Sequence, residues 1–127
     1  MMQVFPVLCA CLILITCSQP DKIRVLTRHD NGKRITCRIH QEFKIRLAAN
    51  PTTGFSWQVS GEDTQLVELL RSELVPIENR LMGAPSEQVF SFRPRHKGSA
   101  PLRLHYRRPW EKGVAPAESF SVTLVIR

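Results

Sequence analysis

The sequence predicts a β-sandwich of seven or eight antiparallel strands. From about residue 22 onward, apolar and polar residues alternate with a period of two, which buries one face of each strand and leaves the other in water. Turn-forming residues interrupt this pattern at short intervals, a spacing typical of sandwiches. The nine prolines argue against long helices, because proline cannot donate a backbone hydrogen bond inside one.

Four segments alternate most clearly and are expected to carry the core: residues 42–47, 89–93, 102–106 and 120–126. In the second of these, Phe90 and Phe92 are expected on the buried face, with Val89, Ser91 and Arg93 on the wet face. Four weaker strands are predicted at residues 23–27, 35–39, 56–60 and 67–75. Residues 62–71 are ambiguous between strand and helix, since Leu66, Leu69 and Leu70 also fit a short helical turn.

Residues 1–17 are a predicted export signal, which leaves residues 18–127 as a single domain. Residues 4–15 are apolar and uncharged but shorter than the roughly 18–20 residues needed to cross a bilayer. The segment Leu14-Ile15-Thr16-Cys17 resembles a bacterial lipobox, in which Cys17 carries lipid, although Thr16 is larger than usual; ordinary cleavage that removes Cys17 is the alternative. The protein is therefore expected in the periplasm, at the outer membrane as a lipoprotein, or secreted, with a membrane contact only through that lipid.

The cysteines indicate no disulfide framework, because Cys9 and Cys11 lie in the signal and Cys17 lies at its edge. Only Cys37 belongs to the body of the domain, where it is expected to be a small buried side chain. A bridge between Cys17 and Cys37 is the alternative.

The formal net charge of +7 lies wholly after residue 17. The lysines and arginines are spread singly along the strands without a nucleic-acid motif, so we expect solvated strand faces and no nucleic-acid partner. Catalysis by Cys37 and His40 is not expected, because residues three apart in a strand point to opposite faces. Cys and His pairs at metal-binding spacing are lacking, and neither a metal nor a cofactor is expected.

A rigid loop is predicted from Asn50 onward. Pro51 fixes its own φ, Asn50 can bond nearby backbone groups, and Gly54 permits a positive φ. Thr52 and Thr53 then present hydroxyl and backbone groups at the tip. The two aromatic residues that follow, Phe55 and Trp57, are expected to face the same way into the sandwich. An ordinary turn followed by a core tryptophan is the alternative.

A second loop contains Trp110, which Pro109 stiffens and which Arg107, Arg108 and Glu111 flank. A rigid, exposed tryptophan is a typical anchor of a protein interface. The alternative is that Trp110 folds back onto the sandwich as a cap. A third turn, at residues 81–86, has small residues that would let a partner approach closely, and an unremarkable hairpin is the alternative there.

Together these segments resemble the chagasin family of cysteine protease inhibitors. The most specific elements are Asn50-Pro51-Thr52-Thr53-Gly54-Phe55 with Trp57, and Arg108-Pro109-Trp110-Glu111 after the strand at residues 102–106. Both occur in the family's order and separation, and the resemblance covers about residues 40–127. It implies an immunoglobulin-like sandwich that presents three loops at one end.

The resemblance also implies reversible, tight binding to papain-like cysteine proteases, such as cathepsin L-type enzymes, whose active-site cleft the loops occupy as a wedge. Thr52 is expected nearest the catalytic cysteine and histidine of the protease, supported by backbone contacts of Thr53 and Gly54. Trp110 is expected to stack on the primed side of the cleft, directed by Arg108 and Pro109. A monomer is expected.

The middle loop of the family is rich in glycine, and here only Gly83 and Ala84 keep that pattern. Pro85 and Ser86 stand where further glycine is usual, so the contact on the unprimed side is where this chain departs from the family. Sequence leaves a second class of function open, because a fold does not fix a function. That alternative is an exported, non-inhibitory immunoglobulin-like module that binds an envelope or host protein, for example in adhesion.

Overall fold

The computed structural model of the protein describes residues 22–60, 65–76 and 86–127. Eight strands lie within them: β1 (Arg24–Leu26), β2 (Arg34–Cys37), β3 (Phe43–Ala49), β4 (Ser56–Val59), β5 (Val67–Pro76), β6 (Ser86–Pro94), β7 (Gly98–Arg107) and β8 (Glu118–Ile126). Single 3-10 turns occur at Arg28–Asp30 and Pro51–Thr53. Over the three described stretches, no helix has the length and apolar character to cross a membrane. The predicted signal with Cys17, and Gly83 and Ala84 of the middle loop, lie outside the described residues.

The strands form two sheets, which confirms the predicted sandwich. Sheet 1 has the order β1-β3-β6-β5, and sheet 2 has the order β2-β8-β7-β4. Two pairings differ from the expectation of antiparallel strands, because β1 runs parallel to β3 and β2 runs parallel to β8. Alternation of apolar and polar residues is the same in both kinds of pairing, so the sequence pattern could not reveal this difference.

The core lies between the sheets and is built from the inward residues of the strands. In β8 every second side chain from Phe120 to Ile126 is buried, as the period-two pattern predicts. Cys37 is also buried and has no disulfide partner among the described residues, which agrees with its expected packing role. The buried cluster consists of Leu26, Ile35, Cys37, Phe43, Ile45, Leu47, Ala49, Trp57, Val67, Phe90, Phe92, Leu102, Leu104, Phe120, Val122, Leu124 and Ile126.

Strand β6 is buried on both faces, which corrects the expectation that Val89 and Ser91 face water. Phe90 and Phe92 point into the core as predicted, yet Ser91 is only 1% exposed. Ser91 pairs with Lys44 on one side and with Arg71 on the other. The stems of long basic side chains cover small neighbours on a sheet surface, so alternation alone overestimates exposure in a central strand.

Strands β2 and β5 differ from their predicted form, β2 in its end and β5 in its regularity. β2 ends at Cys37, two residues before the predicted end, because residues 38–41 form a turn in which His40 has φ +65° and Gln41 N–H donates to the Arg38 carbonyl. Cys37 is buried and His40 is exposed, so the two side chains are separated by the turn rather than by strand parity. In β5 the register shifts between Leu69 and Arg71, and this bulge explains why its leucines lacked a clear period of two.

Three connections leave the same end of the sandwich, which we call the loop end. Ala49, the last residue of β3, pairs with Ser86 of β6, and Ser86 pairs in turn with Pro76 at the end of β5. The chain after Ala49 leads into β4, whose first residue Ser56 pairs with Arg107 at the end of β7. The first loop, the β5–β6 hairpin and the loop after β7 therefore start side by side.

Candidate functional site

The first loop is held by hydrogen bonds among its own residues. The Asn50 side chain accepts from the Thr52 backbone N–H at 3.2 Å and from the Thr52 hydroxyl at 2.6 Å, and the Thr53 hydroxyl donates to the Asn50 carbonyl at 2.8 Å. Gly54 ends the turn with φ +78°, and its N–H donates to the Pro51 carbonyl at 3.1 Å. The predicted roles of Asn50 and Gly54 in shaping this loop are confirmed.

Tyr106 of β7 fixes the base of the first loop. Its hydroxyl accepts a hydrogen bond from the Asn50 N–H at 2.9 Å, and its ring centroid lies 5.3 Å from that of Phe55 and 5.1 Å from that of Trp57. Trp57 is 5% exposed and donates from Nε1 to the Ala48 carbonyl at 2.9 Å. Phe55 is only half-buried at the rim. The prediction that both side chains point into the sandwich is therefore confirmed for Trp57, whereas Phe55 is only partly covered.

Gln88 closes the free edge of β4 beside this loop. Its side-chain amide accepts from the Trp57 N–H at 2.9 Å and donates to the Trp57 carbonyl at 3.0 Å. The two bonds imitate a neighbouring strand, and they join sheet 1 to sheet 2 because Gln88 belongs to β6. An edge satisfied in this way has fewer backbone groups left to pair with another chain.

Arg108 connects the second loop to the first. Its Nε donates to the Thr53 carbonyl at 3.0 Å, and its Nη1 donates to the Glu111 carboxylate at 3.0 Å. The Cζ atom lies 4.5 Å from the centroid of the Phe55 ring, within the range of a cation–π contact. One planar guanidinium therefore holds a backbone group, a carboxylate and an aromatic ring in fixed relative positions, which a lysine could not do.

Trp110 lies on the outside of the loop end and is 67% exposed, so the alternative that it caps the sandwich is wrong. Its indole nevertheless rests on the first loop. A Cβ placed on Gly54 would lie 3.1 Å from Cζ2 and 3.3 Å from Cζ3 of Trp110, and closer still to Cη2. Only a residue without a side chain leaves room for the ring in this position.

The structure thus brings the residues predicted on both loops into one rim. The exposed members are Pro51, Thr52, Thr53, Pro109 and Trp110, and the half-buried members are Asn50, Gly54, Phe55, Arg108 and Glu111. The strand ends that flank the middle loop, Pro76 and Ser86, lie next to the first loop, since Ser86 pairs with Ala49. The described part of the chain contains no cluster of side chains that could hold a metal ion. The rim offers hydroxyl, backbone and aromatic groups in a fixed arrangement, which suits binding.

Sequence reasoning missed two residues that support the rim. Tyr106 was expected only as part of a core strand, although a hydroxyl at the end of such a strand usually finds a polar partner. Gln88 has the same parity as Phe90 and Phe92, which places a polar side chain on the inner face. A polar group on the inner face of a sheet requires hydrogen-bond partners, so the position of Gln88 in the alternating pattern could have predicted its structural role.

Comparison with known proteins agrees with this geometry. The family model described as chagasin family peptidase inhibitor matches residues 36–124. Amoebiasin-2 of Entamoeba histolytica is 30% identical over 115 residues, which cover 90% of this chain and 94% of that protein. Chagasin of Trypanosoma cruzi is 28% identical over 103 residues, which cover 78% of this chain and 94% of chagasin.

A solved structure extends the likeness to three dimensions. The crystal structure of the cysteine protease inhibitor EhICP2 from Entamoeba histolytica superposes on this chain with a TM-score of 0.75 at 29% identity. The match covers 83% of this chain and 96% of that one. The similarity therefore includes both sheets and is not limited to the two loop motifs.

Proposed function

Since this chain belongs to the chagasin family of peptidase inhibitors, we propose that it is a reversible, tight-binding inhibitor of papain-like cysteine proteases. The observation that carries the proposal is the interlocking of two loops at one end of the sandwich, with Thr52 and Trp110 both exposed there. One chain supplies both loops, so a single chain is the inhibitory unit. Similarity to a family of inhibitors also favours this function over a non-inhibitory binding module.

Inhibition proceeds by occlusion of the cleft. Papain-like proteases attack peptides with a thiolate that an imidazole activates. Thr52, at the tip of the first loop, is assigned to the position nearest those two groups. Its hydroxyl already donates to Asn50 at 2.6 Å, so the tip does not have to become ordered when it binds. A preorganised loop loses little conformational entropy on association, which favours a low dissociation constant.

The second loop supplies the anchor. Trp110 offers a large, rigid apolar surface, and aromatic residues of this kind carry much of the energy of many interfaces. Arg108 and Pro109 set its direction, because Arg108 is tied to the first loop at Thr53. We assign Trp110 to the primed side of the cleft. The middle loop with Gly83 and Ala84 is assigned to the unprimed side, where the departure from the family pattern will influence which proteases are bound.

Export of the protein is part of the proposal. We propose that residues 1–17 direct it out of the cytoplasm, with Cys17 as the lipidated residue at the outer membrane. A periplasmic or secreted protein would result if cleavage removes Cys17 instead. Mass spectrometry of the protein recovered from cells distinguishes these outcomes, since a lipid on Cys17 adds a diacylglyceryl mass that ordinary cleavage does not.

The test is a titration of the full chain, expressed from its first residue and purified as the cell processes it. It is added to papain and to a cathepsin L-type protease while hydrolysis of a fluorogenic peptide is followed. We expect inhibition that dilution reverses and an inhibitor that remains uncleaved on a gel. An absence of inhibition across several papain-like proteases, with a folded protein, would contradict the proposal.

A further inference from the structure

Strand β5 forms the long free edge of sheet 1. It contains ten residues, and no described strand pairs with its outer side. The other outer strands are blunted: β1 has three residues, β2 has four, and β4 has four residues with Gln88 bonded to its edge. Natural sheets keep their edges short or covered because an open edge pairs with other chains. The β5 edge is the exception among the described residues.

Apolar residues are concentrated on the same strand. Of the seven large apolar side chains that are exposed in the described part of the chain, three lie on β5: Leu69, Leu74 and Val75. Leu74 is 50% exposed and Val75 is 38% exposed. Apolar side chains exposed together along an open edge are typical of a surface that binds another chain.

The sequence of β5 is complementary to itself when it is read in the opposite direction. Around Ser72, the order Leu70-Arg71-Ser72-Glu73-Leu74 places an arginine and a glutamate at equal distances on either side, with a leucine beyond each. In an antiparallel pair centred on Ser72, Arg71 of each copy faces Glu73 of the other. Leu70, which lies in the bulge, comes next to Leu74 of the other copy.

Opposite charges that face each other across antiparallel strands stabilise the pair, and so do facing apolar residues. Arg71 and Glu73 pair with Ser91 and Val89 of β6, which both belong to the outer face of sheet 1, so their side chains lie on the same face of β5. Both remain accessible, with Arg71 49% and Glu73 61% exposed. Within one chain Arg71 contacts Glu42 at 3.2 Å and Glu73 at 3.7 Å, so in the pair it exchanges the Glu73 of its own strand for the Glu73 of the other copy.

We propose that β5 is the interface through which two copies of this chain form a symmetric, antiparallel dimer centred on Ser72, joining two four-stranded sheets into one of eight strands. The occupant of the edge is a second copy, because the charge pattern fits itself. The interface is small, because the bulge between Leu69 and Arg71 interrupts the regular ladder next to the centre of the pair, so the association is weak.

This dimer leaves the loop ends free. The antiparallel arrangement directs the two Pro76 ends of β5 away from each other, and Pro76 lies at the loop end. The dimer therefore presents two rims that point in opposite directions. A dimer departs from the expectation of a monomer, and because its interface is small it forms only as the concentration rises.

Sedimentation of the full, cell-processed chain tests the proposal. Between about 5 and 500 µM we expect the average mass to rise from one chain toward two, the range of a weak interface. Arg71→Glu or Glu73→Arg places like charges opposite each other and should keep the protein monomeric at every concentration. The double variant Arg71→Glu with Glu73→Arg restores opposite charges and should restore the dimer. Circular dichroism checks that each variant is folded.

Three results would overturn the proposal: a wild-type monomer at about 500 µM, a dimer that survives both single substitutions, or a folded double variant that stays monomeric. A second measurement uses Ser72→Cys, which meets its own copy at the centre of the pair. With oxidised glutathione added as the oxidant, it should form an intermolecular disulfide faster than Ser99→Cys on β7. Equal rates would also contradict the proposal. Papain inhibition, measured on the same samples, should not change, so failure of the dimer and failure of the inhibitory function are separate outcomes.

Discussion

The indole ring of Trp110 occupies the space beside Gly54 that a side chain would otherwise fill. The Gly54 backbone lies against the indole ring, at a distance where an added Cβ would be 3.1 Å from Cζ2, and its φ of +78° belongs to the left-handed region. Two independent requirements, conformation and space, therefore coincide at one residue. The exposed tryptophan is positioned by the first loop as well as by its own.

Replacement of Gly54 by alanine tests this contact. Gly54→Ala strains the backbone, at a cost of about 1–2 kcal/mol, and also displaces the Trp110 ring. We expect at least a tenfold weaker inhibition of papain, about 1.4 kcal/mol or more. Gly32→Ala is the matched control, since Gly32 has φ +81° with no atom within 4 Å of an added Cβ. If both variants inhibit equally well, the contact has no functional role.

Truncation of Trp110 should remove the main anchor. We expect Trp110→Ala to raise the inhibition constant roughly 30-fold or more, about 2 kcal/mol, because an aromatic anchor carries a large share of binding energy. The melting temperature should hardly change, since the side chain is largely exposed. Val25→Ala removes an exposed apolar group from β1 and should leave inhibition unchanged. An unaltered inhibition constant for Trp110→Ala would remove the assignment of this residue.

Arg108 should not tolerate replacement by lysine. Arg108→Lys keeps the charge but cannot bond Thr53 and Glu111 while it lies over Phe55. We expect about tenfold weaker inhibition, mainly through faster dissociation, because the loops lose their fixed relation. Arg107→Lys, one residue away, provides the comparison. Equal effects of the two substitutions would indicate that only charge matters at this end.

Tyr106 should contribute to stability through its hydroxyl. Tyr106→Phe keeps the ring contacts with Phe55 and Trp57 but leaves the Asn50 N–H without its 2.9 Å acceptor. We expect a loss of about 1–2 kcal/mol in the free energy of unfolding, measured in urea. A smaller loss in inhibition should accompany it. A variant as stable as the parent would mean that water replaces the hydroxyl at no cost.

Stability should fall in alkaline solution because of Cys37. Burial raises the pKa of the Cys37 thiol above its ordinary value of 9.0, and Arg24 opposes this shift in part. A group with a higher pKa in the folded state stabilises it fully below the unfolded-state pKa. That contribution is lost as the pH rises through the folded-state value. We therefore expect the free energy of unfolding to decrease above pH 9, and to decrease less in Cys37→Ala. Parallel pH profiles would contradict this origin.

Local sequence predicted most of the fold because the alternation within each strand indicates which of its own residues are buried. The alternation at Phe43, Ile45 and Leu47 located β3 without knowledge of its partners, and the same held for β8. Where neighbours decide exposure, the pattern failed. Ser91, which lies between Lys44 of β3 and Arg71 of β5, is 1% exposed although its position in the pattern predicts exposure. In β5 the bulge at Leu70 interrupts the period of two.

The site divides in the same way. The sequence by itself determined the shape of the first loop, since Asn50, Pro51 and Gly54 act on backbone within a few residues of themselves. Only the tertiary structure decided that Arg108 would bond Thr53, that Trp110 would rest on Gly54, and which pairs of strands run parallel. These contacts join residues more than fifty positions apart in the first two cases. Short-range propensities carry no information about such contacts, which arise only when both sheets have closed around one core.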